Sequence, residues 1–406
     1  MKDTTPLPSW KRNIILFLAS QTVSLFGSSL VQYAIMWYIT LNTKSGVMMA
    51  ISIICGFLPT FFVSPFAGVW ADRFSRKLLI IASDSFIAVS TLILAVLFFL
   101  GYDALWLLFV VSAIRSVGTG IQSPAVSAVL PQVVPEDKLT KVNAVNTSIQ
   151  SFVTLVSPMA SGALLSIAPI EMIFMIDVIT AAIAVVIMTF FVRIPLHAKA
   201  LVQHVTGYFE DLHLGLRYIR QHGFIKEFFL FLAVYFFLAS PVAFLTPLQV
   251  TRTYGEDVWR LTAIEIVFSA GTMAGGLIMA YWKGFRSRVY TMFMASSILG
   301  LSTFALGLKS GFVVYLAFMA VAGVAMPFFN TPAIVMLQEK VEMDYMGRVF
   351  GVLGMITSIM MPFGMLIFGP MADAIRIEFM LICTGILMLA EGFLLIRSKA
   401  ILKEGM

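Results

Sequence analysis

Long apolar runs, separated by short charged or turn-rich stretches, repeat along the entire chain. Each run reaches the roughly 20 apolar residues that an α-helix needs to cross a bilayer. The pattern predicts twelve membrane-spanning helices, at residues 13–40, 47–70, 78–100, 104–130, 143–168 and 171–193, and then at 226–250, 259–282, 289–308, 311–337, 349–371 and 376–396. The predicted fold class is therefore an all-α membrane protein.

The longest polar stretch, residues 194–225, lies between the sixth and seventh runs. It divides the chain into a predicted N-terminal six-helix half at 1–193 and a C-terminal six-helix half at 226–406. Apolar residues recur in this linker at helical spacing, which predicts an amphipathic helix along the inner membrane surface. These residues are Val205, Phe209, Leu212, Leu216 and Ile219. The linker also holds all four histidines, but their spacing matches no metal-ligand pattern, and we predict no metal site.

The composition excludes a water-soluble protein. Of the 406 residues, 60% are hydrophobic and only 12% are charged, and the mean hydropathy is +0.95. Because so few charges cannot cover a soluble protein of this size, the apolar exterior must face lipid. The first run starts at Asn13 and ends without a small-residue cleavage site, which indicates a first span and not a removable signal peptide. Cys55 and Cys383 lie inside apolar runs, and we expect no disulfide.

The basic residues are distributed unevenly between the two sides of the predicted membrane. If the N-terminus is cytoplasmic, 21 of the 27 Lys and Arg residues fall on the inner side, five fall in outer loops, and Arg115 falls within a span. This asymmetry satisfies the positive-inside rule and predicts that both termini are cytoplasmic. It also accounts for the net charge of +6 without a nucleic-acid partner.

The two halves carry similar features in the same order. The fourth and tenth runs contain Ser123-Pro124-Ala125 and Thr331-Pro332-Ala333, and the helices that follow carry the mid-span prolines Pro158 and Pro362. Transporter folds are commonly built from such repeats. The pattern favours a parallel repeat about an axis normal to the membrane.

The most distinctive motif follows the second run and reads Gly68-Val-Trp-Ala-Asp72-Arg73-Phe-Ser-Arg76-Lys77. A glycine four residues before an aspartate permits close helix approach, and the acid can pair with basic groups or cap a neighbouring helix. The motif resembles the signature loop of the major facilitator superfamily, although Ser75 stands where the family usually has glycine. The resemblance implies a twelve-helix fold and a conformational latch formed by Gly68, Asp72, Arg73, Arg76 and Lys77. The alternative is a basic inner loop with an incidental acid.

Ionisable residues inside the spans are the candidates for proton coupling. Arg115 lies well inside the fourth span, where an unpaired charge is costly, so we expect a partner for it. The resemblance connects an arginine in this helix with proton exchange, whereas the alternative is a charge that only locks helices together. Four acids lie within or near the ends of spans and are default candidates for a proton relay: Asp84, Asp177, Glu265 and Glu391.

The fifth span reads Val156-Ser157-Pro158-Met159-Ala160-Ser161-Gly162. It resembles the antiporter motif in which glycines surround a proline, with Ser157 and Ser161 in place of glycines. Pro158 and Gly162 are therefore candidate hinge residues. A kink or a tight packing site is the structural alternative.

Polar stripes on two helices are candidates for a substrate cavity. The first span carries Gln21, Ser24, Ser28 and Gln32 on one face, and the fourth carries Arg115, Thr119 and Gln122. In the superfamily, helices one, four, seven and ten line the central cavity. The resemblance therefore adds Tyr235, Gln249, Phe329 and Asn330. With 25 Met and 36 Phe in the chain, we expect an adaptable apolar cavity suited to a large amphiphile; the alternative is polar contact between helices.

Within the superfamily, the chain resembles the bacterial macrolide efflux branch of drug:proton antiporters. The resemblance runs through Val134-Pro135-Glu136-Asp137-Lys138-Leu139, Ile176-Asp177-Val178, Val192-Arg193-Ile194-Pro195 and Gly347-Arg348-Val349-Phe350. It implies export of a hydrophobic or amphiphilic drug through alternating access, powered by the proton gradient across a bacterial cytoplasmic membrane. A lipid, lysolipid or siderophore exporter of the same fold is the alternative.

An enzyme is not expected, because the sequence contains neither a nucleophile constellation nor a metal-ligand cluster. No G-x-x-x-x-G-K-[ST] sequence supports ATP-driven transport. The expected partners are the small-molecule substrate, protons and membrane lipid, with no cofactor, and we expect a monomer.

Overall fold

The computed structural model describes residues 10–194, 208–282, 284–342 and 345–404, and within these ranges the chain is helical without β-strands. Twelve helical segments in the described chain are long and apolar enough to cross a membrane. They confirm the predicted all-α class and the number of spans. The orientation of the termini stays a prediction from the basic residues.

Six spanning helices precede the linker. They are α1 (Trp10–Thr43), α2 (Gly46–Arg73), α3 (Arg76–Phe99), α4 (Leu105–Val133), α5 (Glu136–Ile167) and α6 (Ile170–Val186), which continues into one turn of π-helix at Ile187–Phe191. Ser75, the departure from the family motif, is the N-cap of α3, and its hydroxyl accepts a hydrogen bond from the backbone N–H of Leu78 at 3.4 Å. Serine is a favoured residue at this position because it satisfies an otherwise unpaired backbone donor.

The remaining helices begin in the linker. They are α7 (Tyr208–Gln221), α8 (Gly223–Phe244), α9 (Thr246–Thr253), α10 (Val258–Trp282), α11 (Arg288–Leu306), α12 (Phe312–Lys340), α13 (Met346–Ala374), α14 (Ile377–Arg397) and α15 (Lys399–Glu404). The seventh span is interrupted at Leu245, between α8 and α9, whereas the sequence predicted one continuous run. Pro247 explains the break, because proline has no backbone N–H to donate to the carbonyl of the preceding turn.

The chain forms two compact units. The first contains the residues up to Ile39 and those from Cys55 through the sixth span, and the second contains Thr40–Ile54 and the chain from α7 onward. In the first unit, α3 packs against both α4 and α6. In the second unit, α12 packs against α10 and α11, and α11 also packs against α14. The turn between α1 and α2 therefore groups with the C-terminal helices.

The linker helix α7 packs against α8 and α13 within the second unit. Its buried Tyr218 stacks on Tyr345, with ring centroids 4.3 Å apart, while Ile219 is buried and Leu216 is exposed. Gly215 allows a close approach, since a Cβ there would lie 3.2 Å from Cβ of Arg348. One face of this helix thus rests on protein. Val205 and the side chains of Phe209 and Leu212 lie outside the described residues.

Large apolar side chains are exposed along the spanning helices of both units. Examples are Phe62, Ile93, Phe190, Leu230, Leu277 and Val313. Such a continuous apolar exterior is stable in contact with lipid tails and not in water.

Candidate functional site

A buried ion pair lies at the centre of the first unit. Nη1 of Arg115, on α4, donates to Oδ2 of Asp177, on α6, and also to the hydroxyl of Thr91, on α3. Nη2 of Arg115 donates to the backbone carbonyl of Ser28, on α1, at 3.2 Å. Asp177 is fully buried and Arg115 is 8% exposed. One guanidinium therefore links four spanning helices.

The carboxylate of Asp177 has further hydrogen-bond donors. Oδ2 accepts from the hydroxyl of Thr91 at 3.1 Å, and Oδ1 accepts from the hydroxyl of Ser28 at 3.3 Å. Gly27 allows α1 to reach α6, because a Cβ at Gly27 would lie 2.0 Å from Oγ1 of Thr180 and 3.1 Å from Cα of Asp177. The charge of Asp177 is thus balanced by Arg115, and both of its oxygens are bonded.

Asp84, on α3, is buried in a different environment. Its Oδ1 accepts from the hydroxyl of Ser24 at 2.7 Å and from Nε2 of Gln122 at 2.6 Å. Its Oδ2 is buried without a hydrogen-bond partner among the described residues. No Lys or Arg side chain in the described part of the chain forms an ion pair with it. Asp84 is therefore the buried acid of this unit whose negative charge is not compensated.

The second unit holds another buried acid. Glu391, on α14, is 5% exposed, and neither of its carboxyl oxygens has a hydrogen-bond partner among the described residues. Tyr235, on α8, is fully buried and stacks on Phe329, on α12, with ring centroids 3.8 Å apart and planes 8° apart. Glu265, on α10, is only partly buried. The structure therefore brings Asp84 and Asp177 together with Arg115 and places Glu265 and Glu391 in the other unit.

The predicted cavity residues fall into several environments. Gln249 is engaged in packing, because its Nε2 donates to the carbonyl of Leu306 at 2.8 Å and its Oε1 accepts from the hydroxyl of Tyr315 at 2.9 Å. Gln21 is partly buried, and its Nε2 has no hydrogen-bond partner in the described structure. Ser24, Ser28 and Gln122 bond the acids described above. The exposed members of the set are Gln32, Thr119 and Asn330.

Two residues of the predicted latch donate hydrogen bonds to backbone carbonyls inside the first unit. Nη1 of Arg76 donates to the carbonyl of Ala128 at 2.6 Å, which ties the start of α3 to α4. Nζ of Lys77 donates to the carbonyls of Thr189 and Val192 at 2.9 and 2.8 Å, at the end of the π-turn after α6. A cation is favourable there because the last carbonyls of a helix carry partial negative charge.

The other three residues of the predicted latch are Gly68, Asp72 and Arg73. The side chains of Asp72 and Arg73 lie outside the described residues. A Cβ at Gly68 would meet no described atom within 4 Å. The latch role of these three residues stays a prediction.

The predicted hinge lies in an uninterrupted helix. Pro158 and Gly162 are inside α5 and are buried. The neighbouring Ser161 is fully buried, and its hydroxyl donates to the carbonyl of Leu30, on α1, at 3.1 Å. In this structure the segment serves as a packing site between α5 and α1.

Sequence analysis missed two members of the ion-pair cluster. Thr91 forms hydrogen bonds with both Arg115 and Asp177, and Gly27 allows α1 and α6 to pack closely. Gly27 lies one residue before Ser28 and therefore on a neighbouring face of α1, outside the predicted polar stripe, where a small residue in a membrane helix was the available signal of close packing. Thr91 carried no comparable signal within its apolar run.

Comparison with known proteins assigns the family. The sequence pattern of the Major Facilitator Superfamily matches residues 17–365. The chain therefore belongs to the Major Facilitator Superfamily, a family of membrane transporters and not of enzymes. It is a multi-pass bacterial membrane protein whose substrate is a small molecule.

Individual proteins of known name or structure are similar to the chain along most of its length. It is 30% identical to macrolide efflux protein A of Streptococcus pyogenes over 383 residues, which are 94% of each chain. It is 31% identical to macrolide efflux protein A of Enterococcus faecalis over 323 residues, covering 79% of this chain and 99% of the relative. Its fold is similar to that of a bacterial homolog of the human lysosomal transporter Spinster, with a TM-score of 0.75, 13% identity, and coverage of 98% and 99%.

The ion pair between Arg115 and Asp177 is expected to be required for the thermal stability of the protein. Arg115→Met leaves the carboxylate of Asp177 buried without its counter-charge, and breaking such a pair costs about 3–5 kcal/mol. We expect this variant to unfold at a clearly lower temperature in detergent, as followed by intrinsic fluorescence. The double variant Arg115→Met/Asp177→Asn removes both charges and should recover much of the loss.

Lys309→Met provides the matched control, because Lys309 is an exposed cation outside the cluster. It should unfold at the temperature of the unmodified protein. A double variant no more stable than Arg115→Met alone would contradict the assignment of Asp177 as the charge partner of Arg115.

Proposed function

We propose that the chain exports macrolide-like hydrophobic or amphiphilic drugs from bacteria by proton antiport through alternating access. The substrate class is supported by the similarity to two macrolide efflux proteins along most of the chain. Proton coupling is supported by the buried cluster of two carboxyl groups and one guanidinium in the first unit.

The proposed proton carrier is chosen from the ion pair and the hydrogen bonds of that cluster. Asp177 has a permanent cationic partner in Arg115, whereas Asp84 has none and keeps one buried oxygen free of hydrogen bonds. An ionised side chain without a partner at the centre of a membrane costs about 2.5–3.5 kcal/mol. Binding a proton to Asp84 removes the uncompensated charge. Asp84 is therefore the proposed proton carrier, and Arg115 and Asp177 form the fixed pair beside it.

The other elements of the proposal follow from the sequence. Both termini lie in the cytoplasm, in accordance with the distribution of basic residues. The signature loop with Asp72 latches one state of the cycle, and the protein acts as a monomer in the lipid bilayer without a cofactor. Glu391 is a second candidate for a proton site, since both of its oxygens lack a described partner.

Drug export is tested by accumulation of radiolabelled erythromycin in an efflux-deficient bacterium that expresses the chain. We expect reduced accumulation and increased resistance, and we expect a protonophore to abolish both because the proton gradient drives export. Cells that carry the empty vector are the control. Unchanged accumulation with the protein in the membrane would contradict macrolide export and direct the search to lipids, lysolipids and siderophores.

The identity of the proton carrier is tested with Asp84→Asn. The amide oxygen still accepts hydrogen bonds from Ser24 and Gln122, but the side chain no longer binds and releases a proton. In vesicles, we expect drug movement driven by a pH gradient to fall to the level seen with a protonophore, with normal expression and thermal stability.

Asp103→Asn is the matched control, because Asp103 is an exposed acid in the loop between α3 and α4. It should transport at the rate of the unmodified protein. Gradient-driven transport that persists in Asp84→Asn would exclude Asp84 as the carrier and leave Glu391 as the next candidate.

A further inference from the structure

A groove of about 1030 Å³ runs along the surface of the second unit, between α11 and α14. Its wall is formed mainly by Tyr290, Phe293, Met294, Ser297, Ile298 and Leu301 of α11, with Leu389 of α14. The residues of α11 recur every three or four positions, so they form one continuous apolar stripe along the helix. The buried acids of the candidate site are not among the described residues that line this groove.

Contacts within the second unit hold the two sides of the groove in place. A Cβ at Gly300 would lie 3.0 Å from the carbonyl oxygen of Gly385 and 3.1 Å from Cγ of Leu389, so the backbones of α11 and α14 come close together. Phe293 rests edge-on against Phe393, with ring centroids 5.3 Å apart. Ser297 is the small residue in the middle of the stripe. The groove is therefore a fixed depression in a packed pair of helices.

The length of the stripe matches the depth of one lipid leaflet. At the rise of an α-helix, the distance from Tyr290 to Leu301 is about 17 Å. The hydrocarbon core of a bilayer is about 30 Å thick, so one leaflet is about 15 Å deep. Tyr290 and Leu301 are both exposed on the outside of the unit. The groove can therefore hold one acyl chain along its length.

Aromatic residues mark one end of the groove as the level of the lipid headgroups. Four exposed aromatic side chains lie in and beside the loop between α10 and α11: Tyr281, Trp282, Phe285 and Tyr290. Tryptophan and tyrosine are enriched where the hydrocarbon meets the headgroups. Phe285 and Arg286 line this end of the groove. On the proposed topology, this end lies at the cytoplasmic surface of the membrane.

Of the two described arginines before and at the start of α11, Arg286 has its charge available. Nη2 of Arg288 donates to Oε1 of Glu339 at 2.6 Å, and its Nη1 donates to Oε2. The side chain of Arg286 is exposed and forms neither an ion pair nor a hydrogen bond with the described residues. A guanidinium binds a phosphate group through two parallel hydrogen bonds. The charge at this end of the groove is therefore complementary to an anionic headgroup.

We propose that the groove binds one anionic phospholipid of the inner leaflet, with an acyl chain along α11 and the phosphate at Arg286. The site lies outside the proposed export path and depends only on the topology in the proposed function. A drug that carries a protonated amine, such as erythromycin, meets a like charge at Arg286. Charge therefore favours the lipid over the drug as the occupant.

Lipid binding to the purified full-length protein tests the headgroup contact. Native mass spectrometry in detergent compares dioleoylphosphatidylglycerol with dioleoylphosphatidylcholine, which has the same acyl chains but no net charge. We expect the unmodified protein to bind one phosphatidylglycerol in preference to phosphatidylcholine. Arg286→Gln should weaken phosphatidylglycerol binding roughly fivefold, the contribution of one basic side chain near an anionic membrane surface, and leave phosphatidylcholine binding unchanged.

Ser297→Phe tests the acyl-chain contact, because the larger side chain fills the middle of the groove. It should weaken the binding of both lipids to the same extent, and thermal unfolding shows whether the variant is folded. If it is not, Arg286→Gln decides alone, since Arg286 is exposed. Arg12→Gln is the matched control, because Arg12 is an exposed cation at the start of α1 in the first unit. It should bind both lipids as the unmodified protein does.

Three results would overturn the lipid site. They are equal affinity of the unmodified protein for the two lipids, an unchanged preference in Arg286→Gln, and undiminished binding in folded Ser297→Phe. Displacement of the bound lipid by erythromycin would also overturn it and assign the groove to the drug. Because these measurements involve no transport, a chain that exports no macrolide would refute the proposed substrate and leave the lipid site to be decided by binding.

Discussion

The arrangement of the first unit depends on the burial of one charged side chain, Arg115, within a span. Lipid offers no water to solvate a guanidinium, so the surrounding helices must provide an anion and several acceptors. Asp177 provides the anion, and Ser28 and Thr91 provide further oxygen atoms. Since these residues come from α1, α3 and α6, the rotation of each helix about its axis is restricted by a single group. Glycine at position 27 is part of the same constraint, because it lets α1, which carries Ser28, come close to α6, which carries Asp177.

Hydropathy and charge were sufficient to predict the class and the number of spans, because both depend only on the free energy of placing residues in lipid or water. The interruption at Leu245 was not predicted, although Pro247 was visible, since prolines occur inside other spans without ending them. The polar stripes indicated the faces of α1 and α4 whose side chains bond the buried acids. They did not indicate that Arg115 pairs with Asp177 and not with Asp84, because that choice depends on how four helices are rotated and tilted relative to one another.

A glycine followed four residues later by an aspartate occurs at the ends of both α2 and α13. The expectation that the glycine permits close helix approach and the aspartate caps a neighbouring helix was derived for Gly68 and Asp72. The described contacts display both effects at Gly369 and Asp373. The chemistry was therefore predictable from the spacing. The location was not, because a helix N-terminus must be present opposite the acid, and only the tertiary structure determines which acid meets one.

Antiport requires that the proton and the substrate influence the same conformational equilibrium. The two hydrogen bonds to Asp84 provide a physical connection, because their donors, Ser24 and Gln122, lie on α1 and α4. These are the two helices of the first unit that the family resemblance assigns to the cavity wall. The carboxylate accepts both hydrogen bonds through Oδ1, and a proton on Oδ2 removes the negative charge that strengthens these bonds and adds a donor to the side chain. A change in the proton on Asp84 therefore alters the hydrogen bonds that connect the wall helices, and a substrate that favours one arrangement of those helices alters the affinity for the proton in return.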